Sequence, residues 1–123
     1  MQVKIAQASL DSALAKSRAE LLLQYGFAVQ TFETPNAMKS ACENHRFDLL
    51  IVGHSLEYPT RDEICTAFRK LNPESPILQL KAVTETIDDA RANFNFSVSE
   101  GPHALVKYIE EILHTKTSSA TNL

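Results

Sequence analysis

Residues 47–56 read FDLLIVGHSL: Phe47 and Asp48, then four consecutive apolar residues, Leu49, Leu50, Ile51 and Val52, then Gly53, His54 and Ser55. An apolar run of this length with an irregular polar end predicts a strand that has no solvent face, and such strands belong in the middle of a parallel sheet covered on both sides. In an open α/β sheet, ligands bind just beyond the carboxyl ends of the strands. Gly53 and His54 stand at that place, so the chemistry of the protein is expected to be decided there.

Working outward, the chain alternates strand and helix patterns. Residues 3–8, VKIAQA, predict a strand. A helix to about Tyr25 follows, capped by Ser9 or Asp11, with Leu14, Leu21, Leu22 and Tyr25 near one face and Gly26 ending it. FAVQTF (27–32) predicts the second strand. Thr34 caps and Pro35 opens a second helix whose inner stripe is Met38, Ala41, Cys42 and His45. Beyond the central strand, a third helix is expected from Thr60 to Leu71, with Ile64, Ala67, Phe68 and Leu71 turned inward. The charged residues Glu57, Arg61, Asp62 and Glu63 read as its solvated start. PILQLK (76–81) predicts the fourth strand, and residues 84–92 a fourth helix with only Ile87 and Ala90 to bury. Phe94, Phe96 and Val98 alternate as in a half-buried fifth strand. Pro102 to Leu113 form the last helix, and the polar residues 116–123 a flexible tail. Five strands alternating with five helices imply a single doubly wound parallel sheet over residues 1–115.

The 123 residues, 44% hydrophobic and 22% charged, suit one globular core. A net charge of −3 offers no basic field for nucleic acid or an anionic membrane. No apolar run approaches a membrane span, and the first residues, MQVKIAQ, lack the layout of a secretory signal, so a cytoplasmic protein is expected. Cys42 and Cys65 have no metal or CxxC spacing and read as buried thiols. Neither GxGxxG nor GxxxxGK occurs, so no phosphate cradle, cofactor or metal is expected.

The FDLLIV strand, the QYGFAV join, the PILQLKA strand and the terminal helix fall in an order that resembles the receiver domains of bacterial two-component response regulators. The resemblance implies a flavodoxin-like (βα)5 fold with strand order 2-1-3-4-5, and it assigns the positions at which that family does its chemistry. The acidic pair that holds Mg²⁺ falls on Ser9 and Leu10, with Asp11 nearby. The phosphoacceptor aspartate falls on Gly53, the switch threonine or serine on Lys81, and the lysine that ends the fifth strand on Val98. None carries the expected group. Acyl-phosphate formation needs a carboxylate nucleophile and a cation beside it. The resemblance is thus to a degenerate receiver, or pseudo-receiver.

The implied function is signal transduction by protein binding without catalysis. A histidine kinase or another signalling protein is the expected partner. The output or homodimer surface would be made by the fourth helix, fifth strand and fifth helix, with Asn95, Lys107 and Tyr108 as exposed contact residues. Two further readings stay open: phosphorylation at His54 or Asp11, and small-molecule sensing at the edge formed by Ser9, Gly53 and Lys81. His54 is expected to hydrogen-bond a loop carbonyl, since strand alternation turns it away from the acceptor position. Lys81 either pairs with Asp11 across the edge or is solvated at the strand end.

Overall fold

The computed structural model describes residues 2–121 apart from residue 86, and for 115–121 the backbone alone. In chain order the elements are β1 (Lys4–Ala8), α1 (Ser12–Gln24), β2 (Ala28–Phe32), α2 (Pro35–Asn44), β3 (Leu49–Val52), α3 (Tyr58–Leu71), β4 (Ile77–Lys81), β5 (Phe94–Ser97), a 3-10 turn (Val98–Glu100) and α4 (Pro102–Thr121). The five strands form one parallel sheet in the order β2-β1-β3-β4-β5. This is the flavodoxin-like arrangement expected from the sequence.

β3 is the centre of the sheet. Its four residues are fully buried, and alternation sends Leu49 and Ile51 to one face and Leu50 and Val52 to the other. On the first face Ile5, Leu78, Leu80 and Phe96 join Leu49 and Ile51 under Leu22 of α1 and Leu105, Val106, Ile109 and Ile112 of α4. On the second, Ala6, Ala8 and Ile77 join Leu50 and Val52 under Met38 of α2 and Ile64, Cys65 and Phe68 of α3. Each large side chain so buried contributes about 1.5–3 kcal/mol relative to exposure.

The helix ends follow local chemistry. Asp11, rather than Ser9, caps α1 by accepting from Leu14 N at 3.0 Å, and Thr34 caps α2 by accepting from Ala37 N at 3.2 Å. Gly26 follows α1 with φ +89°, a conformation that side chains oppose. Four residues expected on inner faces are exposed instead: Leu14, Tyr25, His45 and Leu71. Leu14 lies in the first turn of α1, and the other three lie in or beyond the last turn of their helices, so each stands where a helix end leaves the sheet.

The fourth helix expected over residues 84–92 does not form. Among the described residues, 82–85 and 87–93 run from β4 to β5 as turns and irregular backbone. Thr84, Thr86 and Ile87 are β-branched, and adjacent Asp88 and Asp89 compete for backbone donors, so the segment has poor helix propensity. Asp89 does compete: its carboxylate accepts from Arg91 N at 3.0 Å, and Glu85 accepts from Ala82 N at 3.0 Å. Ile87, expected to anchor the helix, is exposed. At the other end, α4 extends to Thr121, past the expected end at Leu113. The side chains of 115–121 and all of 122–123 lie outside the described residues, and with them the expectation of a flexible tail.

Candidate functional site

The carboxyl ends of β1, β3 and β4 bring together the residues singled out from the sequence. Ala8 is level with Val52 in the sheet, so the residues after them, Ser9 and Gly53, are neighbours. Gly53 N donates to Ala8 O at 2.7 Å, and Leu10 N donates to Ser55 Oγ at 3.2 Å, tying the two loops. A Cβ on Gly53 would stand 3.1 Å from both Ala8 O and Ser9 Oγ, closer than side chains ordinarily approach. Glycine is favoured here by space and not by an unusual φ. Ser9 is buried, and its hydroxyl accepts from Asp11 N at 3.2 Å.

A Mg²⁺ ion of the kind receivers hold prefers carboxylate oxygens in near-octahedral array. The matching positions here supply one engaged hydroxyl, an exposed leucine and a glycine, and the nearby carboxylate of Asp11 caps α1. The residues present do not fit the ion. Among the described residues, no three His, Cys, Asp or Glu side chains converge as a metal site would need.

Lys81 neither pairs with Asp11 nor stands in solvent. Its ammonium lies 2.7 Å from Asp88 Oδ1, with the lysine side chain largely covered. The cause is the irregular β4–β5 segment, which brings Asp88 back over the strand end. Val98 lies just beyond β5, in the 3-10 turn, and Leu80, Phe96 and Val98 together line a cleft between α1 and α4. Asn95, expected to be an exposed contact residue, is half-buried and braces the segment: its side chain accepts from Asp89 N at 2.9 Å and donates to Asp89 O at 3.3 Å. Tyr108 is half-buried too, its ring 5.4 Å from that of Phe96 and 6.1 Å from that of Phe94. Lys107 alone of the three is exposed.

The dominant feature of this edge was missed in the sequence. Arg61, expected on the solvated start of α3, has a side chain only 3% exposed. Its Nε donates to Leu56 O at 2.7 Å and its Nη2 to His54 O at 2.9 Å, both in the loop after β3. The same guanidinium reaches Glu85 at 3.1 Å and Asp89 at 3.9 Å, in the segment after β4. Arg91 adds a pair of bonds to Asp89, at 2.8 and 2.7 Å, and donates to Tyr58 O at 2.8 Å. The Tyr58 ring lies 4.8 Å from the Arg61 guanidinium and 5.5 Å from that of Arg91. Hydrogen bonds from Arg61 hold the Glu85 carboxyl below its ordinary range, and those from Arg91 do the same for Asp89. The signal was present in the spacing: 61, 64, 65 and 68 are the four buried positions of α3, so Arg61 begins the inward stripe.

At the positions the resemblance assigns, then, this edge carries Gly53, Ser9 and Leu10. It also has an internal arginine latch joining the β3–α3 loop to the β4–β5 segment. Fixed guanidinium forks in low dielectric hold such loops in one arrangement more firmly than surface pairs do.

No protein-family model and no curated protein matches the sequence. Solved structures do match. A CheY-like response regulator receiver domain protein from Methanospirillum hungatei superposes with a TM-score of 0.81 over 97% of this chain and 99% of that one, at 18% identity. The chemotaxis response regulator CheY4 of Vibrio cholerae gives 0.77 over 91% and 99%, at 18% identity. A structure of the histidine kinase ThkA in complex with the response regulator TrrA gives 0.75 over 92% of this chain and 99% of the matched chain, at 18% identity. With the strand order, the face assignments and these superpositions in agreement, the chain has the flavodoxin-like fold of CheY-like response-regulator receiver domains.

Proposed function

We propose that this protein is a signalling module of receiver fold that binds a protein partner, is not switched by aspartyl phosphorylation and catalyses no reaction. The observation that carries the reading is Gly53, the residue at the tip of the central strand, which has no side chain and where a Cβ would crowd the Ala8 carbonyl and the Ser9 hydroxyl at 3.1 Å. The arginine latch supports it, because the loops flanking that tip are tied together by groups internal to the chain. A phosphoryl group has nothing left to organise.

The similar TrrA structure, solved with a histidine kinase, supports a signalling protein as partner. Exposed apolar side chains on the segments leaving the carboxyl edge give such a partner a surface: Leu10, Tyr58, Val83 and Ile87 are 54%, 59%, 72% and 81% exposed. Since no helix forms over the described residues of 84–92, this surface takes the part expected of the fourth helix.

The test is incubation of the full chain with acetyl phosphate and Mg²⁺, followed by intact-mass measurement. The expected mass is unchanged. A stoichiometric gain of one phosphoryl group would refute the reading, and peptide mapping would then decide between His54 and Asp11.

A further inference from the structure

A second feature lies away from the strand tips. Between α1 and α4 is a cleft of about 370 Å³ walled by Leu14, Leu21, Phe96, Val98 and Leu105. Its size and apolar lining suit a small molecule, for which specificity comes from the few polar groups that break the apolar wall. Here the principal one is Arg18.

Arg18 is half-buried and donates from Nη1 to Gln7 Oε1 at 2.6 Å. Gln7 is itself fully buried and held by Ala15 O at 3.1 Å and Thr31 Oγ1 at 3.0 Å, so the guanidinium is anchored on a fixed amide. Among the described residues, no carboxylate lies within ion-pair distance of Arg18; Asp11 attracts it only from farther off, its own carboxylate committed to the α1 cap. Burial lowers the Arg18 pKa, the mark of a cation whose lost hydration is not replaced by an ion pair. A cation so placed has bonding capacity unspent, since the guanidinium carries five donors. At the mouth, Ser17 and His103 add two more polar groups.

We infer that this cleft binds a small amphiphilic carboxylate, with one acyl chain or aromatic ring seated between α1 and α4 and the carboxylate on Arg18. An apolar body matches the walls. The anion supplies the charge that Arg18 lacks, in a geometry the guanidinium fork accepts with two parallel bonds. A volume of this size, closed on two sides by helices, takes one chain, which favours a free acid over a two-chain lipid. The inference stands apart from the function proposed for the strand tips and survives its failure.

Octanoate, below its micellar range, and octanol are the probes, titrated into the isotopically labelled full chain. Octanoate is expected to shift the amide signals of Leu21, Val98 and Leu105, to raise Tm, and to bind at least about tenfold more tightly than octanol. Arg18→Gln is expected to abolish that preference while leaving octanol binding in place. Ser17→Phe, at an exposed position on the rim, is expected to weaken both. Equal binding of the two probes by the unaltered chain would overturn the inference. So would shifts confined to other regions, or octanoate binding that neither substitution changes.

Discussion

Replacing Arg61 by methionine is expected to release the loops around the strand tips and to lower the stability of the whole domain. Methionine keeps the apolar stem, which packs on the inward stripe of α3, and removes the guanidinium. Left behind are two carbonyls, Leu56 O and His54 O, that had accepted at 2.7 and 2.9 Å, and two carboxylates, Glu85 and Asp89. Breaking one side of a buried ion pair costs about 3–5 kcal/mol. The lower end applies here, because Glu85 is 20% exposed and regains water, and Asp89 keeps Arg91 at 2.7 Å. A loss of about 3 kcal/mol corresponds to a fall in Tm of roughly 10 °C in a chain of this length. Calorimetry measures the fall. Hydrogen exchange locates it, with protection lost first in residues 82–93 and in the loop after Val52. Arg61→Lys should lose most of the same stability, since an ammonium cannot serve both loops at once. A Tm within about 3 °C of the unaltered chain, with exchange in 82–93 unchanged, would show that the latch holds nothing and that the reasoning is mistaken.

Three further outcomes follow from the same structure. Glu85 and Asp89 have carboxyls held below their ordinary values of 4.5 and 3.8, so their pairing stabilises the fold above those values and is lost as pH falls through the lower folded-state values; acid unfolding followed by circular dichroism should show this loss, and Arg61→Met should shrink it. Gly53→Ala should destabilise by about 1–3 kcal/mol in urea melts, because the Ala8 carbonyl that the new Cβ meets at 3.1 Å is fixed by the Gly53 N–H, and a neutral or stabilising result would contradict the crowding described. Burial pushes the Cys65 thiol up to about 11, whereas Cys42 is only partly covered and less strongly raised; mass spectrometry after brief alkylation of the native chain should find Cys42 modified well before Cys65.

Much of the architecture was legible in the chain because periodicity reports burial directly. The run Leu49 to Val52 is apolar on both alternating faces, so it had to lie at the centre of a covered sheet, and β3 is there with α1 and α4 on one side and α2 and α3 on the other. The absence of a side chain at the central strand tip was likewise written in the sequence as Gly53. The fourth helix was a misreading of a different kind. Spacing allowed it, yet Asp89 and Glu85 found backbone donors and arginine partners that a helix would have denied them.

Those partners are the part that sequence could not supply. Arg61 and Glu85 are separated along the chain by all of β4, and only the parallel pairing of β3 with β4 brings α3 beside the β4–β5 segment, so that the two side chains meet at 3.1 Å. Arg18 and Gln7 stand apart in the chain, and only the folding of α1 across β1 joins them at 2.6 Å. Local composition determined which segments are buried and which strand is central, since hydrophobic burial depends on what each residue is. The ends of the strands, where polar groups are desolvated and must find specific partners, were decided by tertiary contact, since pairing depends on which residues the fold makes neighbours.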